Sequence, residues 1–157
     1  MREFFHSKSL QQNGLSLGDP VYAKLDALLA YAMLSIPASK GFEMGEGFAA
    51  ANLMGSEHND AFIANNGQIT TQTNHAGGLL GGISNGMPLF GRVAFKPTSS
   101  IRQPQVSVNR LGMPQPFELP AGSRHDPCVA IRAVPVVESM CALVLADRLL
   151  LQRCARV

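Results

Sequence analysis

Charge is what this chain has least of. Only 15 % of its 157 residues are Asp, Glu, Lys or Arg, against about a quarter in an ordinary soluble domain. So few charges leave much surface to be covered by neighbours, which points to an oligomer or to part of a larger body. The net charge of +2 is too small to argue for nucleic acid or an anionic membrane as partner. Any anion must be met by a local cluster. Cysteine is also scarce: Cys128, Cys141 and Cys154 show no CxxC spacing, and an odd number suits a reduced chain better than a disulfide scaffold. Long apolar runs are missing. The most hydrophobic stretch, 133 to 146, is interrupted by Glu138 and falls short of the roughly 20 residues a membrane span requires. The opening Met1-Arg2-Glu3-Phe4-Phe5-His6 lacks the apolar core of a signal peptide. A soluble, cytoplasmic protein is expected, in one domain that buries roughly 70 % of its unfolded surface.

What is present is ordered along the chain. Residues 1–18 carry no clear period, and Asn13-Gly14 and Leu17-Gly18 read as turns. Asp19-Pro20 has the form of a helix start. Val21, Leu25, Leu28, Leu29, Ala32, Met33 and Ile36 then follow the spacing of one buried helical face, ended by Pro37. A short strand is expected over Phe42 to Met44, and Gly45-Glu46-Gly47 turns into the small-residue run Phe48 to Met54. Ala61 to Ala64 and Gln68 to Thr73, joined by Asn65-Asn66-Gly67, predict a hairpin. Leu89 to Lys96 is a further strand, and Val106 to Val108 can pair with the segment Pro116 to Pro120. From Pro127 to about Ala155 the chain is one helical stretch, with an interruption expected near Pro135. The expected class is α+β.

Four groups of residues carry possible chemistry. In Ser123-Arg124-His125-Asp126-Pro127-Cys128, Pro127 suits the first helical position and Asp126 the N-cap. With Arg124 beside it, such a helix start is an anion site. Lys96-Pro97-Thr98-Ser99-Ser100 combines an ammonium and three hydroxyls; it suits a phosphate or the anionic edge of a reduced flavin, and equally a solvated turn. The run Asn74 to Gly86 is dense in glycine but matches neither a dinucleotide fingerprint nor a P-loop; it can be a tight connection or a binding loop. Glu57-His58-Asn59-Asp60 offers metal-like side chains, yet consecutive residues cannot all face one ion, so a hydrogen-bonded loop is expected and no metal. His75 and His125 are candidate acids or bases, or structural residues. Glu138 and Asp147 are too far out of line for a catalytic pair, and Arg132 can pair with a neighbouring carboxylate.

Four segments taken together resemble chorismate synthase: Ser35 to Glu43, Asn74 to Gly86, Lys96 to Ile101, and Arg124 to Met140. The resemblance covers residues 19–157, leaving 1–18 as a poorly matching segment, and it corresponds to the C-terminal part of the family pattern. It implies a sandwich of helices between antiparallel sheets, a homotetramer, and a lyase. That lyase converts 5-enolpyruvylshikimate 3-phosphate to chorismate and phosphate with reduced FMN. It gives residues roles. Pro37 and Ala38 match backbone lying against the flavin, and Gly81 a glycine beside it. Lys96, Pro97, Thr98, Ser99 and Ser100 match the loop holding the flavin's polar groups. Arg124 matches an arginine near flavin and substrate phosphate, and Asp126 an aspartate that helps move the proton at flavin N5. The family's two acid histidines lie in its N-terminal half, and His75 and His125 do not take their places.

Overall fold

A computed structural model describes residues 2–7, 16–65 and 67–155. In chain order the elements are β1 (Arg2–Ser7), α1 (Leu25–Leu34), β2 (Ser39–Met44), a 3-10 turn over Gly47–Asn52 and the single-turn α2 (Gly55–His58). Four short strands follow: β3 (Phe62–Asn65), β4 (Gln68–Thr71), β5 (Leu79–Leu80) and β6 (Ile83–Ser84). The chain ends with β7 (Leu89–Phe95), β8 (Gln105–Val108), β9 (Pro114–Phe117) and the long α3 (Ala130–Ala155).

The organising element is β7. It lies between β1 and β2 in a three-stranded antiparallel sheet. Strict alternation along it buries Leu89, Gly91, Val93 and Phe95, while Phe90, Arg92 and Ala94 take the other, half-buried face, as the period of two in a strand requires. The buried face meets α1 and α3, which pack on each other. Leu25, Leu29 and Met33 come from α1, and Ala133, Val137, Cys141 and Leu145 from α3. Both sets repeat at intervals of four, the spacing of one helical face. On the opposite face Arg92 sits across from Glu43 in the register, and their ion pair closes at 2.8 Å.

Several expectations hold. The hairpin pairs Phe62 with Thr71 and Ile63 with Thr70, although Asn66 of its turn lies outside the described residues. Val106 faces Pro116 in the β8–β9 ribbon. The architecture is α+β, with helices laid on an antiparallel sheet. Others need correction. Asp19-Pro20 does not open a helix: residues 19–23 form a turn closed by the Asp19 amide on the Ala23 carbonyl, and Val21 is exposed. The helix starts at Leu25 because its amide finds the Gly82 carbonyl at 2.8 Å, which supplies from another loop what a cap side chain would otherwise provide. Residues 1–18, read as lacking a period, contain strand β1, and Asn13-Gly14 lies outside the described residues. Pro135 falls inside α3, which runs on through it.

The glycine run is a tight connection. A β-carbon on Gly77 would stand 2.5 Å from the Gly45 nitrogen, and one on Gly45 would stand 2.6 Å from the Gly77 nitrogen. The two turns thus pack main chain on main chain, each glycine at positive φ.

Candidate functional site

A cleft of about 390 Å³ opens between the end of β7 and the start of α3, lined by Phe95, Lys96, Pro97 and Thr98 on one wall and Pro127, Cys128, Val129 and Ala130 on the other. Its size lies within the range of small-molecule sites, roughly 300–1,000 Å³. Two backbone features build it. Pro37 stops α1, and Ala38 then adopts a φ of 69°, the single positive value at a non-glycine position among the described residues. That turn aims the Ala38 carbonyl at the Lys96 amide, 2.9 Å away, and so extends the β2–β7 pairing by one step past Phe95.

The second feature is Asp126, and here the sequence expectation needs correction. The helix begins at Ala130, not at Pro127, so Asp126 does not cap it. The first helical amides are met instead by the Val129 carbonyl, which accepts from Arg132 and Ala133. The Asp126 carbonyl accepts a hydrogen bond from Thr98 Oγ1 at 3.2 Å. Its carboxylate pairs with Arg132 at 2.7 Å. The pairing foreseen for Arg132 is therefore real, and its partner is the residue expected to cap.

Of the residues singled out from the sequence, Pro37, Ala38, Lys96, Pro97, Thr98 and Asp126 are brought to this one place by the contacts above. Ser99, Ser100 and Arg124 continue from it along the chain, Ser99 and Arg124 exposed and Ser100 half-buried. Gly81 is not among them. It sits exposed in the β5–β6 turn, beside the Gly82 carbonyl that holds the first turn of α1. The ten residues of α1 separate it from Ala38 by about 15 Å. Four lining residues, Phe95, Cys128, Val129 and Ala130, had no assigned chemical role; their only signal was closeness in sequence to Lys96 and to Asp126-Pro127.

None of the other candidates lines this cleft. Asp60 is buried and accepts from Thr73 Oγ1 at 2.7 Å, the His75 amide at 2.8 Å and the Ala76 amide at 2.9 Å. Burial works to raise its carboxyl, but those donors and the charge of His75 outweigh it and hold the pKa below the ordinary value. Of the segment 57–60, expected as a hydrogen-bonded loop, Glu57 and His58 close the helical turn α2 and only Asn59 and Asp60 are loop. Among the described residues no group of three His, Cys, Asp or Glu could hold a metal. His75 Nδ1 lies 3.2 Å from Glu46, and His125 is exposed. Asp147 pairs with the neighbouring Arg148 at 2.6 Å.

A cleft with apolar walls and an ammonium at its edge lies where an antiparallel sheet meets a helical layer, and the class the fold defines is α+β. Residues 9–150 match the sequence profile of the family described as chorismate synthase. The chorismate synthase of Protochlamydia amoebophila (strain UWE25) is 64 % identical over 136 residues, covering 87 % of this chain and 37 % of that protein. The one from Opitutus terrae (strain DSM 11246 / JCM 15787 / PB90-1) is 59 % identical over 131 residues, covering 83 % of this chain and 36 % of that protein. A crystal structure of chorismate synthase superposes with a TM-score of 0.67 at 34 % identity, over 87 % of this chain and 34 % of that one. This chain belongs to the chorismate synthase family. It spans a little over a third of the length of the curated relatives it matches. Among the described residues no helix is long and apolar enough to cross a membrane.

Proposed function

We propose that residues 19–157 form the flavin-contacting, C-terminal part of a chorismate synthase-type lyase. The reaction converts 5-enolpyruvylshikimate 3-phosphate to chorismate and phosphate. The observation that carries this reading is convergence: Ala38, Lys96, Thr98 and Asp126, distant in sequence, are joined by hydrogen bonds at the rim of one cleft. These residues fit a flavin. Phe95, Pro97 and Val129 offer apolar walls for a ring system, and Lys96 and Thr98 offer an ammonium and a hydroxyl at its edge.

Reduced FMN, if bound there, would supply transient electron density to the substrate's allylic system. The chain's own residues bind and orient. Lys96, Thr98, Ser99 and Ser100 hold the polar edge, Pro97 stiffens that loop, and the Pro37-Ala38 backbone lies against the ring. Arg124 meets the substrate phosphate, where a cation stabilises the departing dianion. Asp126 holds the proton at N5. Gly81 joins the site through a homo-oligomer, a tetramer as in the family. We propose no nucleic-acid or membrane partner, and a cytoplasmic location.

A second reading has one observation in its favour. Val136, Leu143 and Leu150 form an exposed apolar stripe on α3, consistent with a module that works only alongside further chain. One experiment addresses both: anaerobic titration of the purified chain with reduced FMN, with and without substrate. Saturable binding, weakened about tenfold or about 1.4 kcal/mol by Lys96→Ala and by Arg124→Ala, is expected if the cleft is a flavin site. A folded chain that does not bind reduced FMN overturns the flavin reading for the chain alone and favours the module.

A further inference from the structure

Arg132 is the third residue of α3, whose first turn contains no acidic residue. A cation there runs against the helix macrodipole, which favours negative charge at that end. Its neighbours on the helix, Ala130 and Ala133, are buried at 1 % and 5 % exposure, so the backbone that carries it is anchored in the core. The guanidinium itself is 76 % exposed and takes Asp126 Oδ2 through Nη1 at 2.7 Å, the length of a charge-assisted bond. Ion pairs this exposed add little to global stability, so folding alone does not account for an arginine in an unfavourable position.

Asp126 needs what Arg132 provides. Residues 124–129 are not helical, and Asp126 is exposed. Thr98 takes its carbonyl from the side of β7, a single bond to one backbone atom that leaves both the carboxylate and the flanking main chain free to move. Arg132 takes the carboxylate from the side of α3. We infer that Arg132 is the positioning residue for Asp126, holding its carboxylate in one orientation at the rim of the Lys96–Ala130 cleft. The chemical meaning of that orientation rests on the flavin reading; the contact does not.

The test uses the full chain in two measurements. In hydrogen exchange followed by mass spectrometry, Arg132→Gln should speed exchange over 124–129 about twofold to fivefold, the range an exposed ion pair supports. The α1 helix and α3 beyond Ala133 should be unchanged, and Arg132→Lys should restore part of the protection. Unchanged exchange over 124–129 overturns the inference, whether or not any ligand binds. In the anaerobic titration with reduced FMN, Arg132→Gln should weaken binding in the wild-type background and have no further effect in Asp126→Asn. An equal loss in both backgrounds means Arg132 acts on the ligand directly, and that also overturns it. Absence of reduced FMN binding by the wild-type chain sinks the flavin reading alone, and the exchange result still decides the role of Arg132.

Discussion

Asp60 carries a charge in a buried place because three donors from residues 73–76 converge on it. Its carboxyl sits below the ordinary aspartate value of 3.8, so its contribution to stability is complete above that pH and is lost as pH falls through the lower folded value. Thermal unfolding followed from pH 5 to pH 2 should show this acid-side loss in the wild type and less of it in Asp60→Asn. At neutral pH the same substitution should cost about 2 kcal/mol, the scale of hydrogen bonds to a charged group. Ala38 is a different kind of exception. An alanine held at a φ of 69° is strained by its β-carbon, and Ala38→Gly should stabilise the fold by about 0.5–1 kcal/mol in chemical denaturation, while Ala38→Val should lower stability. Nothing in an alanine announces a positive φ, so this conformation was not legible in the sequence. The stop at Pro37 was, because proline's geometry is local. Asp126 shows the reverse failure: Asp-Pro is a sound helix-start signal, overridden here by contacts from Thr98 and Arg132.

Elements whose signals are local were the readable ones. Strand β7 runs from Leu89 to Phe95, one residue short of the stretch expected from its composition. The β3–β4 hairpin pairs as its Asn-Gly turn indicated, and β8 pairs with β9, although β9 runs over Pro114–Phe117, earlier than the segment Pro116 to Pro120 expected. Elements defined by distant partners were not readable. Strand β1 gains its structure from pairing with β7, Arg2 opposite Ala94 and Ser7 opposite Leu89, far along the chain. The start of α1 depends on a carbonyl at Gly82, which no local pattern reveals. The face of α3 that meets the sheet is the largest single contribution from one element to the core, and Val137 at 2 % exposure is central to it. Val137→Ala should cost about 2–4 kcal/mol in a denaturant melt, the range for truncating a buried aliphatic side chain.

For the molecule as a whole, the scarcity of charge correctly indicated surface left uncovered. Leu143 and Leu150 are 65 % and 60 % exposed on the outer side of α3, and a helix apolar on two faces is normally buried on both. Leu143→Glu combined with Leu150→Glu should reduce self-association of the chain in sedimentation experiments while shifting unfolding by no more than about 0.5 kcal/mol per site. The candidate site was legible only in pieces. Lysine, hydroxyls and arginine could be named from composition, but which of them share a cleft depends on the Ala38–Lys96 and Thr98–Asp126 contacts. Gly81 shows how far apart in one copy two named residues can lie. The mutual packing of Gly45 and Gly77 has a consequence on a longer timescale. Each is obstructed by the other's main chain, and main chain has no smaller substitute. No first substitution at either position can be made acceptable by a second at its partner, so descent has no stepwise route away from the pair. The two glycines should drift in neither copy nor lineage, and should remain a landmark for aligning relatives long after the surrounding side chains have diverged.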